Sequence, residues 1–195
     1  KLLGQYQKSI LLAFGEYVPL GPLAGVVQNL VPTIADFGRG QGPMLFELPT
    51  PSGEVRLAPQ ICYEGIFPEH SRRGVQLGAD VLLNITNDSW FGLNSEPALH
   101  LLLTVFRTIE LRRPMIRSTN TGISTWIDAT GRMIEGTPLF EVSTLSGEIR
   151  LPSVTAQIST FYARHGEVFA SIAAIVALLG ALVVLLHEIR LRRAL

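Results

Sequence analysis

From Val168 to Leu186 the chain runs for 19 residues without a charge, VFASIAAIVALLGALVVLL. In lipid a backbone must satisfy its own N–H and C=O groups, so a run of this length reads as a helix spanning the hydrocarbon core, about 28 Å at 1.5 Å per residue. The plainer alternatives are a buried core helix, a secretory signal or a lipid-anchor signal. A core helix would carry a polar stripe, and a secretory signal would sit at the other end of a chain. An anchor signal would end in its apolar run rather than in His187-Glu188-Ile189-Arg190-Leu191-Arg192-Arg193. Arg190, Arg192 and Arg193 outnumber the basic residues on the near side, Arg164 and His165, so the positive-inside rule puts the C-terminus in the cytoplasm and the globular part outside. Ala173, Ala177 and Ala181, with Gly180, form a small-residue face against which a second membrane helix could pack.

The remaining residues are electrostatically even: 16 Lys and Arg against 16 Asp and Glu. This gives no case for nucleic acid. Charged residues are 16 % of the chain, against about a quarter in ordinary soluble domains, which suits a lipid substrate or membrane-facing loops as well as a large dry core. One cysteine excludes an internal disulfide. The opening Lys1-Leu2-Leu3-Gly4 has no initiator Met and no targeting segment, and the sequence is expected to be a C-terminal fragment.

Breakers divide the chain. Residues 18 to 54 hold Pro19, Gly21, Pro22, Gly25, Pro32, Gly38, Gly40, Gly42, Pro43, Pro49, Pro51 and Gly53, which reads as extended loops. Within them Leu20, Leu23, Val26, Val27, Leu30, Val31 and Ile34 form an apolar patch, either a lid or membrane-dipping arm or simple packing on the domain. An alternating series follows: a strand near Val55–Ile61, a helix from Pro68 to Leu77 stopped by Gly78, a strand Val81–Thr86, a helix Pro97–Arg113 ended by Pro114, and a strand Met115–Thr119. Gly122–Ile127 and Arg132–Ile134 read as a hairpin, with further extended pieces at Pro138–Val142 and Glu148–Leu151. Strands alternating with helices, then hairpins, predict an α/β sandwich with mixed sheets. The expected division is a domain over 1–160, a juxtamembrane segment 161–167, a membrane helix 168–186 and a cytoplasmic tail 187–195.

Cys62 falls where the first of these strands meets the first helix. A thiol on such a turn is held outward, and the helix's first N–H groups can cradle an oxyanion. By itself a lone cysteine reads as an inert core thiol. Its company points elsewhere. Tyr6-x-Lys8, Phe14-Gly15-Glu16-Tyr17-Val18-Pro19, Ile61-Cys62-Tyr63-Glu64-x-x-Phe67-Pro68-Glu69 and Thr86-Asn87-Asp88-Ser89-Trp90-Phe91-Gly92 stand in order. With Glu96-Pro97, His100-Leu101, Phe106-Arg107, Glu110, Arg113-Pro114, Asn120-Thr121-Gly122-Ile123-Ser124 and Tyr162-Ala163-Arg164-His165-Gly166, this series resembles the apolipoprotein N-acyltransferases, membrane members of the nitrilase superfamily. The chain departs from the usual Leu-Val-Pro before Phe-Gly-Glu-Tyr, having Leu11-Leu12-Ala13.

That resemblance implies a four-layered α-β-β-α nitrilase-like domain on the outer face of the bacterial inner membrane, joined to a multi-pass bundle of helices. It implies a Glu-Lys-Cys triad with Lys8 as the lysine and Cys62 as the nucleophile. Glu16, Glu64 and Tyr63 would support the site, and Trp90, Phe91 and Asn87 could line a pocket. The triad glutamate belongs before Tyr6-x-Lys8, outside this sequence, so residues 1–195 alone are expected to be inactive. The implied reaction moves an acyl chain from a phospholipid such as phosphatidylethanolamine, through a Cys62 thioester, to the α-amino group of a diacylglyceryl-cysteine on an apolipoprotein. No cofactor or metal is expected. Two other functions stay open: a nitrilase-like amidase acting on a small carbon–nitrogen substrate, and a non-catalytic membrane-tethered binding module.

Plainer roles are expected elsewhere. His100 reads as a packed or surface histidine with no second ligand at metal spacing. Arg107, Glu110 and Arg113 read as helix-face ion pairs or a domain contact. Asn87 and Asp88 form either the pocket or only the turn, and Trp90 and Phe91 either grip an acyl chain or fill the core.

Overall fold

The computed structural model describes residues 4–23, 25, 37–51, 53–151 and 159–194. Most of the apolar patch expected between Leu20 and Ile34 lies outside the described residues. Six strands form one mixed sheet in sequence order: β1 (Phe46–Thr50), β2 (Gly53–Ile61), β3 (Val81–Thr86), β4 (Met115–Thr119), β5 (Thr125–Ile127) and β6 (Met133–Gly136). The β2–β3 and β3–β4 pairs are parallel and the rest antiparallel. The two parallel crossovers carry helices α1 (Pro68–Gln76) and α2 (Glu96–Leu111), which pack together. Right-handed crossovers between successive strands put both on one face of the sheet. The architecture is α/β, as expected, and the described residues form one β layer covered by one α layer.

The core lies between these layers. Ala58, Leu82, Met115 and Ile127 from the strands meet Val75, Leu101 and Leu111 from the helices. α1 begins with Pro68, whose missing N–H costs nothing in a first turn. It stops at Gly78, where φ is +110°. Gly74 lets α1 approach β2 closely, since a Cβ there would stand 3.0 Å from that of Ala58. α2 ends on Arg112 in the left-handed conformation, two residues before Pro114.

Three expectations need correction. Residues 46–50 are not loop but strand β1: Pro49 is tolerated because β1 is the sheet's edge and pairs on one side only. Pro138–Val142 and Glu148–Leu151 are outside the sheet; Phe140 has φ +59°, which breaks an extended run. In the Gly122–Ile127 stretch only Thr125–Ile127 pairs, because Asn120 and Thr121 turn first and the Ser124 hydroxyl bonds Thr119.

After residue 158 a short helix α3 (Phe161–His165) is capped by Thr160, whose hydroxyl accepts from Ala163 N–H at 3.0 Å and donates to the Glu110 carbonyl at 2.6 Å. The Ala163 carbonyl accepts from Gln76 at 3.0 Å and Arg72 at 3.4 Å. Tyr162 donates to Glu167 at 3.0 Å, and burial with that bond pushes its hydroxyl up to about 12. α4 (Val168–Ala194) then leaves the domain. It covers the uncharged run and continues through residues expected to be tail. Phe169, Val176, Leu178 and Val183 are all well exposed, the opposite of a soluble core helix.

Candidate active site

β2 ends at Ile61, and Cys62–Ile66 forms a 3-10 turn before α1. Cys62 is half-buried with φ +51°, in the left-handed region that a side chain adopts only when its surroundings impose it. Two clamps do so. On one side the Glu64 carboxylate accepts from Ile61 N–H at 2.8 Å. On the other, the Asn84 amide of β3 donates to the Cys62 carbonyl at 3.2 Å.

Glu64 is completely buried and binds more than the elbow. It accepts from the Tyr6 hydroxyl at 2.7 Å, Ser9 N–H at 2.6 Å, the Ser9 hydroxyl at 2.9 Å and Ile10 N–H at 3.1 Å. This lays the segment carrying Lys8 against the turn that carries Cys62. Burial pushes the Glu64 carboxyl up, but the donors from Ile61, Tyr6 and Ser9 outweigh it and hold it below the ordinary carboxylate range. Burial and the Glu64 bond drive the Tyr6 hydroxyl up instead. His70 Nε2 sits 3.2 Å from that hydroxyl, and burial lowers its imidazole against the pull of Glu64. A neutral His70 can donate to Tyr6, which donates to Glu64.

Lys8 pairs with Glu16, its Nζ donating to both carboxylate oxygens at 2.7 Å. Glu16 also accepts from Leu12 N–H at 2.8 Å, closing the Leu12–Tyr17 loop. Tyr63 stacks edge-on against Phe67 at 4.9 Å.

The turn after β3 divides the other candidates. Asn87 is exposed and accepts from Ser89 N–H and Asn120. Trp90 is 84 % exposed, so it is not a core residue. Phe91 packs edge-on against His100 at 5.8 Å. Asp88 is fully buried, accepting from Thr86 at 3.0 Å and from Arg117 at 2.9 Å, with His100 Nδ1 at 3.0 Å. Burial raises the Asp88 carboxyl, and His100 and Arg117 reverse that to leave it depressed. Burial lowers Arg117 against the opposing charge of Asp88. Arg107 pairs with Glu110 at 2.8 Å, but Arg113 instead donates to the Ala79 carbonyl at 2.9 Å.

Asn84 and Arg117 escaped the sequence reading. Their signal was a polar residue two places after a buried apolar one on the same face of a strand, Leu82 before Asn84 and Met115 before Arg117. Among the described residues no three His, Cys, Asp or Glu side chains are grouped to hold a metal.

The carbon-nitrogen hydrolase family model matches residues 1–158. An apolipoprotein N-acyltransferase of Bdellovibrio bacteriovorus is 45 % identical over 162 residues, 83 % of this chain and 29 % of that protein. One from Geobacter metallireducens is 44 % identical over 169 residues, 87 % of this chain and 31 % of that protein. The chain thus spans under a third of the length of these curated relatives. Among solved structures, the NitN amidase from Neterenkonia sp. AN1 is 21 % identical and superposes with a TM-score of 0.47 over 70 % of this chain and 48 % of that one. The chain belongs to the carbon-nitrogen hydrolase family, in which it is similar to the apolipoprotein N-acyltransferases.

Proposed function

We propose that this chain carries the nucleophile and the lysine of a phospholipid-dependent apolipoprotein N-acyltransferase, with Cys62 and Lys8 as catalytic residues. The observation that carries the reading is the left-handed Cys62 elbow, joined through Glu64 to the Lys8 segment, in a chain that ends in an exposed apolar helix of membrane-spanning length.

The Cys62 thiolate attacks the ester carbonyl of a phospholipid. A C–S bond forms, and the Lys8 ammonium with the Tyr63 N–H stabilises the oxyanion, where one lost donor costs about 3–4 kcal/mol. As the oxyanion collapses the C–O bond breaks, and the lysophospholipid leaves with the proton taken from the thiol. The α-amino group of a diacylglyceryl-cysteine at an apolipoprotein N-terminus then attacks the thioester. A C–N bond forms, the C–S bond breaks, and the amine proton returns to the thiol. The shuttle for these protons is the glutamate that the family resemblance puts before Tyr6, so residues 1–195 alone should show no turnover. Glu16 positions Lys8 and Glu64 positions the elbow. Trp90, exposed beside the turn, is suited to touch an acyl chain.

In this reading α4 spans the bacterial inner membrane with Arg190, Arg192 and Arg193 inside and the catalytic domain outside, as part of a multi-pass protein. A small-substrate amidase would have no use for α4. The test is incubation of the intact protein in detergent with phosphatidylethanolamine and no amine acceptor, followed by mass spectrometry of Cys62. A lasting acyl adduct, absent in Cys62→Ala and discharged by a diacylglyceryl peptide, supports the transferase. No adduct, or steady release of fatty acid, overturns it.

A further inference from the structure

From the contacts beneath the elbow we infer that Arg117 and Asn84 are positioning residues for the Cys62 nucleophile, transmitting the geometry of the β3–β4 floor to the reacting thiol. The inference rests on the transferase reading for its reaction, but its geometry is independent of the substrate. The chain of contacts is continuous. Asn84 Nδ2 donates to the carbonyls of Cys62 at 3.2 Å and Gln60 at 3.3 Å. Asn84 Oδ1 accepts from Arg117 Nη1, and Arg117 Nη2 donates to Asp88 at 2.9 Å. His100 Nδ1 and the Thr86 hydroxyl hold the other Asp88 oxygen at 3.0 Å each.

Packing fixes both ends. A Cβ on Gly65, in the turn just after the nucleophile, would stand 2.8 Å from Asn84 Nδ2. One on Gly122 would stand 2.2 Å from Asp88 Oδ2. The amide is therefore seated directly under the turn, and Asp88 against the β4–β5 loop.

Stability alone does not account for this arrangement. Arg117 and Asp88 have fully buried side chains, and a buried ion pair is in general no better for stability than apolar residues of the same volume. A guanidinium differs from an apolar filler in having a rigid fork. Here one arm takes Asn84 and the other Asp88, so the amide beneath Cys62 is held in one orientation, its N–H group towards the elbow.

Two variants of the intact protein in detergent test this. Arg117→Lys keeps a cation for Asp88 but has no fork to reach Asn84 as well. Asn84→Asp keeps an acceptor for Arg117 but has no N–H for the Cys62 carbonyl. Melting reports folding, single-turnover acylation by phosphatidylethanolamine reports the reaction, and alkylation by iodoacetamide reports access to the thiol without the lipid. The expected result is a folded protein that acylates Cys62 roughly tenfold or more slowly at saturating lipid, with the half-saturating lipid concentration unchanged. Alkylation of Cys62 slows in the same variants. Rates equal to those of the unaltered protein in either folded variant would overturn the inference. So would a raised half-saturating concentration at unchanged maximal rate, or loss of the fold in both variants. If the unaltered protein is alkylated but takes no acyl chain, the transferase reading falls and the alkylation comparison alone decides the positioning role.

Discussion

Beneath Cys62, the side chains of Glu64, Asn84, Asp88 and Arg117 are each at most 1 % exposed, and each is held by partners from a different part of the chain. Along α4, Phe169 to Leu186 lie open and carry no charge, and Ser171, the one hydroxyl, bonds the Glu167 carbonyl one turn back. Both regions obey one rule, that a polar group away from water must find a partner inside the protein. α4 meets it locally, each peptide bonding its own helix. The floor under Cys62 meets it mostly across distance, as in Ser9 to Glu64 and Arg117 to Asp88. Damage to the floor should therefore spread through the domain, whereas damage to α4 should stay within that helix.

The largest effect expected is that of Asp88→Ala. It strands the Arg117 charge in the interior, and unfolding of the intact protein by heat or denaturant should show a loss of about 3–5 kcal/mol. A loss under about 1 kcal/mol would mean that water or another carboxylate reaches Arg117 and that the floor is not dry. Next comes Ala177→Arg, in the middle of α4. It should lower the equilibrium constant for insertion of α4 about a hundredfold, read as a fall in the inserted fraction in a glycosylation-site topology assay, with no change in the domain's fold. Unchanged insertion would break the membrane reading of α4.

Acid should unfold the domain in two stages. His70 titrates lower when folded than its ordinary 6.5, so below about pH 6.5 the unfolded chain binds the extra proton and stability begins to fall. Glu64 and Asp88 are held below their ordinary 4.5 and 3.8, so their contribution is complete above about pH 5 and drains away as pH drops through their folded values. His70→Gln should erase the first stage and leave the second, in unfolding measured across pH. The smallest effect on stability is expected for Trp90→Ala: an exposed ring removed from a turn should leave melting unchanged while weakening phospholipid use in the acylation assay. A marked drop in melting temperature would return Trp90 to the core.

Much of this molecule was legible in its residues. The β2-α1-β3-α2-β4 series falls within a residue or two of the positions that Pro68, Gly78 and Pro114 predict. Cys62 does sit at the strand end, whereas the pairing of Lys8 with Glu16 came only with the structure. The edge strand β1 was hidden by Pro49 within it and Pro51 just after it. Glu64 was expected near the site, but its five bonds to Tyr6, Ser9, Ile10 and Ile61 were not, because a carboxylate's partners are set by which loops fold back over it. The sequence admits Asp88 as pocket or as turn, and the structure makes it a buried anchor.

Local pattern alone determined what depends on neighbours along the chain: the apolar span that must become a helix, the alternation of strand and helix, the breakers that end each element, and the thiol at a strand's end. Tertiary structure decided what depends on groups far apart in sequence. It put Arg117 of β4 beneath a cysteine at the end of β2, with Asn84 of β3 between them, and it turned Glu64 into the clamp joining residues 6–10 to the elbow. The physical reason is burial. Away from water each of these charges and amides must be paired, and only the packed sheet determines which partner is within reach.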